Sequence, residues 1–315
     1  MKGYFKVLTK HPVIITRALH LSEYFVNHLP DQPIIHWVQI PFYLRNPQSL
    51  IEDRKYFRKN RPNDTLYYFY NESAVYYHLK NSGLNLVDSP LEAMYDIDTF
   101  HITTPKHKSH DALMVARATY MKRLELAKDV KSLKIISSIE DHDHFKQLKQ
   151  IFKGRLLNLS LSREDLNIAY NAARVGLCLS TTEGAQRVIL EHQMAGVPQV
   201  CTTSKGGRNR FINPETCLIV PPDPHCVAEA VKHLISMDLD PQMVREIMFR
   251  RLMGYRHKIF ELGESILNAH GNYDFAAKMR MIMKKQYCLT PWCYRIERVL
   301  NAEFGLNIEE DTYSD

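Results

Sequence analysis

Between Leu113 and Ile235 the chain repeats one pattern, in which a short apolar run is followed by a segment of helical spacing and then by another run. LKIIS (133–137), RLLNL (155–159), VGLCLS (175–180), PQVCT (198–202) and CLIV (217–220) each have the length and the β-branched content of a buried strand. Among the intervening segments, SREDLNIAYNAARV opens with Ser162 and Asp165 in the spacing of a capping box and sets Leu166, Ala169, Tyr170 and Ala173 on one face. VAEAVKHLI (227–235) does the same with Val227, Val231 and Leu234. Parallel strands need a crossover element between them, so this alternation predicts an α/β domain with a parallel sheet covered on both faces, Rossmann-like in design.

The first hundred residues carry a weaker version of the same alternation. ALHLSEYFVNHL (18–29) reads as an amphipathic helix, PIIHWVQI (33–40) and TLYYFYN (65–71) as strands, and SAVYYHLKNSG (73–83) as a helix closed by Gly83. A reduced α/β domain over 1–105 is expected, joined through the polar stretch TTPKHKSHD (103–111) to the Rossmann-like domain over 106–270. From 241 onward the pattern is helical, through KIFELGESILNAH and DFAAKMRMIMKKQY, with 271–315 set apart as C-terminal helices ending in the acidic EEDTYSD.

Composition bounds the rest. With 315 residues and 45% hydrophobic side chains the chain can build two proper cores. The net charge of +6 leans towards an anionic partner: a phosphorylated ligand, a membrane surface or a nucleic acid. No apolar run reaches the ~18 residues of a spanning helix, and Lys10, His11 and Pro12 interrupt the N-terminal segment, so a cytoplasmic protein without a secretory signal is expected. The six cysteines are scattered, several within strand-like runs, and are read as reduced, buried small hydrophobes.

The stretch TTEGAQRVILEHQMAGVP (181–198) concentrates the chemistry. Ligands of an open parallel sheet bind at the carboxyl ends of its strands, where a helix N-terminus presents free N–H groups. Glu183 and Gly184 follow the strand VGLCLS closely, a phosphate-binding arrangement, and Glu191 is expected about two turns further along the helix. Two carboxylates at that separation serve different parts of one ligand.

Glu183 to Glu191, EGAQRVILE, resembles the E-x7-E motif of the retaining GT-B glycosyltransferases of family GT4. SREDLNIAYNAARVGLCLSTTEG is similar to the helix and strand that lead into that motif, AGVPQVCTTSKGG to its Gly-x-Pro strand and double-glycine loop, and NPETCLIVPPDP to the strand beyond. VARATYMKR places Arg117 and Lys122 at the spacing of the family's Arg and Lys pair. The resemblance implies a GT-B fold, two Rossmann-like domains facing a cleft with the N-terminal one reduced and the C-terminal helices bracing it. It implies sugar transfer with retention from a nucleotide-sugar donor, UDP- or GDP-linked, with no metal and no other cofactor. By residue it implies that Arg117 and Lys122 neutralise the donor diphosphate, that Glu183 faces the donor sugar as the catalytic carboxylate, that Gly184, Ala185, Gln186 and Arg187 lie near sugar or phosphate oxygens, and that Glu191 accepts the ribose hydroxyls. The chain has Ala185-Gln186 where the motif has Phe followed by Gly or Ser, Ala116 where a Gly precedes the Arg, and Arg210 where a Glu often follows the double glycine.

Other features have plainer readings. SIEDHDHF (138–145) could suggest a metal site, but adjacent side chains diverge, so a polar strand-to-helix loop is expected. IEDRKYFRKNRP (51–62) and AAKMRMIMKK (276–285) mix cations with aromatic or apolar residues, which suits a solvated face, a membrane interface or a polyanion. His36 and His78, each alone in an apolar segment, are read as satisfied core residues before any catalytic role. A Rossmann dehydrogenase is disfavoured because no G-x-G-x-x-G follows a strand. The acceptor is expected to be a glycan, a lipid-linked glycan at the inner face of the membrane, or another polyanion such as viral DNA. The alternative is a nucleotide-sugar-binding or scaffold protein without turnover.

Overall fold

The computed structural model describes residues 3–19, 23–40, 43–94, 97–103, 108–184, 186–271, 292–293 and 296–308. Ala185, the basic stretch 276–285 and the acidic end lie outside them. The chain divides into two compact units, Met1–Asp96 with Gly254–Asp315, and Ile97–Met253. The division falls at 96/97 and 253/254, where the sequence pattern placed boundaries at 105/106 and 270/271, and residues from 254 onward group with the N-terminal unit.

In that unit β1 (Gly3–Lys10) and β2 (Val13–Ala18) pair antiparallel, and β2, β3 (Ile34–Gln39), β4 (Thr65–Phe69) and β5 (Asn85–Val87) run parallel. The short strand Trp292–Cys293 adds antiparallel to β1. The helix expected over 18–29 is corrected to a strand ending at Ala18 and a short α1 (Glu23–Asn27). The cause is sheet pairing, since Ala18 is held opposite Gln39 of β3. The hairpin of β1 and β2 was not foreseen, because Lys6 and Lys10 obscure its alternation.

One side of this sheet buries Val38, Leu66 and Tyr68 against Leu50 and Phe57 of α2 (Gln48–Asn60) and Val75 and Leu79 of α3 (Ser73–Leu79). Phe5, Val13, Ile15 and Ile34 pack with Ile296 and Leu300 of the helix Ile296–Phe304. Each such side chain contributes about 1.5–3 kcal/mol by leaving water. Polar residues are buried too. Arg17, with no exposure, donates to both carboxylate oxygens of Asp53 at 3.3 and 2.9 Å and to His36 Nδ1 at 3.0 Å. The Tyr68 hydroxyl donates to Asp53 at 3.0 Å, and His36 Nε2 meets Asp64 at 2.9 Å. His36 is therefore a core residue, and burial holds its pKa down to about 4. His78, read as a core residue, is instead exposed, because it lies on the solvent face of α3 opposite the buried Val75 and Leu79. In the basic stretch 51–62, Asp53 and Phe57 point inward while Lys55, Arg58 and Lys59 face solvent.

The second unit is a six-stranded, all-parallel sheet in the order β13-β11-β9-β6-β7-β8. Its strands are β6 (His110–Val115), β7 (Leu133–Ser137), β8 (Leu156–Asn158), β9 (Ala173–Cys178), β11 (Gln199–Thr202) and β13 (Cys217–Val220), with the two-residue β10 (Thr182–Glu183) and β12 (Lys205–Gly206) paired beside it. Numbered within the unit this is 3-2-1-4-5-6 read from the other edge, the doubly wound order with its switch point between β6 and β9. Helices α4 (His142–Phe152), α5 (Arg163–Asn171) and α6 (Arg187–Met194) connect β7 to β8, β8 to β9 and β9 to β11, short 3-10 turns follow β6, and α7 (Pro224–Met237) follows β13. The core joins Ala112, Met114, Ile135, Val175, Leu177 and Val200 to Phe145 and Leu148 of α4 and Val227, Val231 and Leu234 of α7.

Caps fix where these helices begin. Ser162 accepts from the Asp165 N–H at 3.1 Å, and Asp223 accepts from the Cys226 N–H at 3.0 Å with Pro224 as the first helical residue. The Gly in the Gly-x-Pro turn is required on two counts. Gly196 has φ +74°, and a β-carbon there would lie 2.7 Å from Pro241. Helix α8 (Pro241–Asn268) starts in this unit and ends in the other. No described helix is long and apolar enough to cross a membrane.

Candidate active site

A cavity of about 380 Å³ opens at the carboxyl ends of β6, β7 and β8. Val115, Ile136, Leu159, Leu161, Leu166 and Val188 supply its apolar walls, and Arg117, Lys122, Ser137, Ser138, Ser160 and Gln186 its polar ones. The strand ends explain the grouping, since each β-strand delivers its last residues to the same edge of the sheet.

Arg117 follows β6 and lies largely in solvent, paired with Glu140 at 3.0 Å. An exposed pair of this kind contributes about 0–1 kcal/mol, so the guanidinium exchanges partners readily. Lys122 ends a single 3-10 turn, Tyr120–Lys122, and its ammonium is ion-paired to Glu183, the two side chains being 13% and 10% exposed. Glu183 is held by β10, paired in register with Gly206 of the double-glycine loop. The structure thus brings Arg117, Lys122, Glu183 and Gln186 to one edge of the sheet. Gly184 is buried beside them, and Arg187 is half-buried as the first residue of α6.

The spacing of the two glutamates needs a correction. Pairing with β12 keeps Thr182 and Glu183 extended, so the helix begins only at Arg187 and Glu191 is about one turn inside it. Glu191 is 4% exposed, accepts the Tyr170 hydroxyl, and is absent from the cavity wall. Burial pushes its pKa up to about 7, against the opposing effects of the Tyr170 hydrogen bond and of Arg187 and Arg163. The folded chain therefore binds more protons than the unfolded chain between the ordinary glutamate value near ~4.3 and about 7. Stability drawn from this site falls as pH rises through that window and stays low above it. Glu191→Gln is expected to melt with wild type near pH 4 and above it at pH 7.5, and paired thermal melts across that range check the sign.

Several features were not legible in the chain. Arg208 is fully buried, donates to the carbonyls of Cys178 (2.8 Å) and Thr202, and ties together the ends of β9 and β11. Arg123, with φ +48°, donates to Leu179 O and Thr202 Oγ1, both at 2.6 Å. A positive φ at an arginine leaves no trace in composition or period. Gly206, at φ +104° and ψ −166°, could be inferred from the double glycine.

SIEDHDHF forms the expected loop: Asp141 caps α4, accepting from the N–H groups of Asp143 and His144 at 3.0 Å. Among the described residues no three His, Cys, Asp or Glu side chains are grouped to hold a metal. Cys178, Cys201, Cys217 and Cys226 are free thiols, the first three buried.

Residues 103–237 match the family model of glycosyl transferases group 1. The sucrose-phosphate synthase of Thermosynechococcus elongatus superposes with a TM-score of 0.55 at 16% identity, over 79% of this chain and 70% of that one. Anabaena Alr3699/HepE in complex with UDP gives 0.57 at 14%, over 74% and 72%, and its complex with UDP and glucose gives 0.54 at 15%, over 77% and 80%. No curated protein matches the chain in sequence. Identities this low speak for the fold, and the family match speaks for the second unit. The chain is thus GT-B in fold, and its residues 103–237 match the glycosyl transferases group 1 family, a unit that resembles family GT4.

Proposed function

We propose that the chain moves a glycosyl group, with retention, from a nucleoside diphosphate sugar to a glycan or lipid-linked glycan. The observation that carries this reading is the Lys122–Glu183 ion pair beside an apolar-walled cavity at the strand ends. The reaction forms a bond between an acceptor oxygen and the anomeric carbon, breaks the bond from that carbon to the diphosphate, and passes the acceptor hydroxyl's proton to the departing diphosphate oxygen. Negative charge grows on the departing diphosphate and positive charge at the anomeric centre. Arg117 and Lys122 meet the first, with the N-terminus of α6 behind Gln186 and Arg187, and the Glu183 carboxylate meets the second. Two basic side chains and a helix N-terminus supply the positive charge that a metal provides in other transferases. Gly184 lets the backbone come close to the donor.

A UDP-sugar is the first donor to test, since the HepE structures hold UDP, UDP-glucose and UDP with glucose; a GDP-sugar is the second. The solvent-facing Lys55, Arg58 and Lys59 of α2 fit contact with anionic headgroups at the inner face of the membrane by a cytoplasmic enzyme. A nucleic acid is the alternative acceptor for the same charge, which stands beside the half-buried Tyr56.

Incubation with UDP-, GDP-, ADP- and CMP-sugars, followed by nucleotide release and by thermal shift, tests the reading. One donor is expected to stabilise the protein and to be hydrolysed slowly without acceptor. A donor that binds but is never consumed, with glycan or lipid-linked acceptors present, leaves a nucleotide-sugar-binding protein in its place. Absence of binding to all of them removes the donor site.

A further inference from the structure

A smaller cavity, of about 130 Å³, opens at the amino ends of β6, β9 and β11. Among the described residues Lys108, Arg174 and Asp238 are the charged ones on its wall, beside Gly196, Leu234 and Pro241. Sheet pairing brings the two cations together. His110 of β6 lies opposite Ala173 of β9, and the Ser109 N–H donates to the Ala172 carbonyl at 2.7 Å, so Lys108 and Arg174 flank that contact. Arg117 and Glu183 follow the other ends of these strands, each of 6 residues. A strand of that length spans ~20 Å.

The cavity is short of negative charge. Lys108 is half-buried, and the loss of water together with the Arg174 guanidinium holds its pKa below the ordinary lysine value, with no carboxylate acting against them. Among the described residues neither cation is ion-paired, and Asp238, at the exposed rim, pairs with neither. Two like charges in a partly desolvated cavity repel, and an anion placed between them removes that cost. A lysine beside an arginine suits phosphate, the one as a point charge and the other as a fork of donors. The volume is several times the ~30 Å³ share of one water and admits such a group. A bare phosphate would be repelled by Asp238. A ligand that carries a hydroxyl turns the same carboxylate into an acceptor.

We propose that Lys108, Arg174 and Asp238 form a binding site for a small hydroxylated phosphate ester, its phosphate on the two cations and a hydroxyl on the carboxylate. The site stands apart from the strand ends that carry Arg117 and Glu183, so its occupant leaves the larger cavity free.

Calorimetric titration of the full chain with glycerol 3-phosphate and with inorganic phosphate, at one ionic strength set by chloride, tests it in wild type, Lys108→Gln, Arg174→Gln, Asp238→Asn and Arg117→Ala. Wild type is expected to bind the ester more tightly than inorganic phosphate. Lys108→Gln and Arg174→Gln should each weaken the ester by at least roughly tenfold, the effect of one hydrogen bond to a charged group. Asp238 has φ +45°, a conformation that asparagine also adopts, so Asp238→Asn keeps the turn. It should bring the two affinities together, since it removes both the repulsion of bare phosphate and the stronger hydroxyl acceptor. Arg117→Ala should bind the ester like wild type. Without ligand, Lys108→Gln should melt at or above wild type, because one of two like charges is gone. Failure of wild type to bind the ester overturns the site, and so does wild-type affinity in both cation variants. Weakening in Arg117→Ala alone puts the phosphate at the carboxyl ends of the strands and overturns it as well. Inorganic phosphate bound as tightly as the ester by wild type overturns the role of Asp238 and with it the ester. A ligand-free Lys108→Gln that melts well below wild type shows an ammonium already neutralised within the chain, which removes the reason for an anion.

Discussion

Glu183→Gln is expected to lower kcat for donor consumption by about 10²–10³-fold, the loss typical of removing one preorganised electrostatic group from a transition state. The change keeps the shape of the side chain and the extended backbone of β10, where residue 183 pairs with Gly206. What it removes is a charge with two duties. In the free protein the carboxylate neutralises Lys122 in a site where both side chains are mostly buried. In the proposed reaction it faces the positive anomeric carbon while Lys122 turns to the diphosphate. The two duties separate in measurement. With a neutral partner the Lys122 ammonium has more attraction left for a nucleotide, so affinity for the product diphosphate should hold or rise while turnover falls. A carboxylate that merely anchored Lys122 would give the opposite split, with weaker nucleotide binding and turnover per bound donor unchanged. Kinetics in excess donor and calorimetry with UDP decide between them, and a kcat within threefold of wild type removes Glu183 from the chemistry.

The Rossmann-like unit was readable because its strands are buried on both faces and therefore appear as continuous apolar runs. LKIIS and CLIV fall on β7 and β13 residue for residue. β6 was not singled out as a strand, though it is the central strand of the doubly wound order, because His110 and Asp111 give its start a polar look. The N-terminal unit was harder. Its β2 carries Thr16 and Arg17, both fully buried, and a buried arginine contradicts the pattern by which a strand is recognised. Only the three-dimensional arrangement brings Asp53 and His36 to it. In the site, the motif resemblance singled out Arg117, Lys122 and Glu183, which the fold brings to one sheet edge, whereas the withdrawal of Glu191 onto Tyr170 depends on where α6 begins. That start is set by pairing between β10 and β12, a contact across more than twenty residues that no local pattern encodes.

The buried cation that hid β2 also yields the largest stability effect expected from a single substitution in the N-terminal unit. Arg17 has no exposure, its guanidinium lies 4.4 Å from the Phe57 ring centroid, and Asp53 meets it with both carboxylate oxygens. Asp53→Ala leaves that charge in the core with a carbonyl, an imidazole and an aromatic face but no anion, and it takes from the Tyr68 hydroxyl its acceptor as well. Breaking a buried pair from one side typically costs about 3–5 kcal/mol, and at about 2–4 °C per kcal/mol for a unit of this size the melting point should fall by on the order of 10 °C. Asp53→Asn should cost less, since it restores an acceptor for Tyr68 without the charge. Removing both partners is the informative control. Arg17→Met with Asp53→Leu replaces the pair by apolar side chains of similar length, and such replacements are often neutral. The double variant is therefore expected to be more stable than Asp53→Ala alone, with a coupling that denaturant titrations of all four proteins measure directly. If Asp53→Ala costs less than about 1 kcal/mol, the value of an exposed pair, the guanidinium reaches water and the network is not the core of this unit.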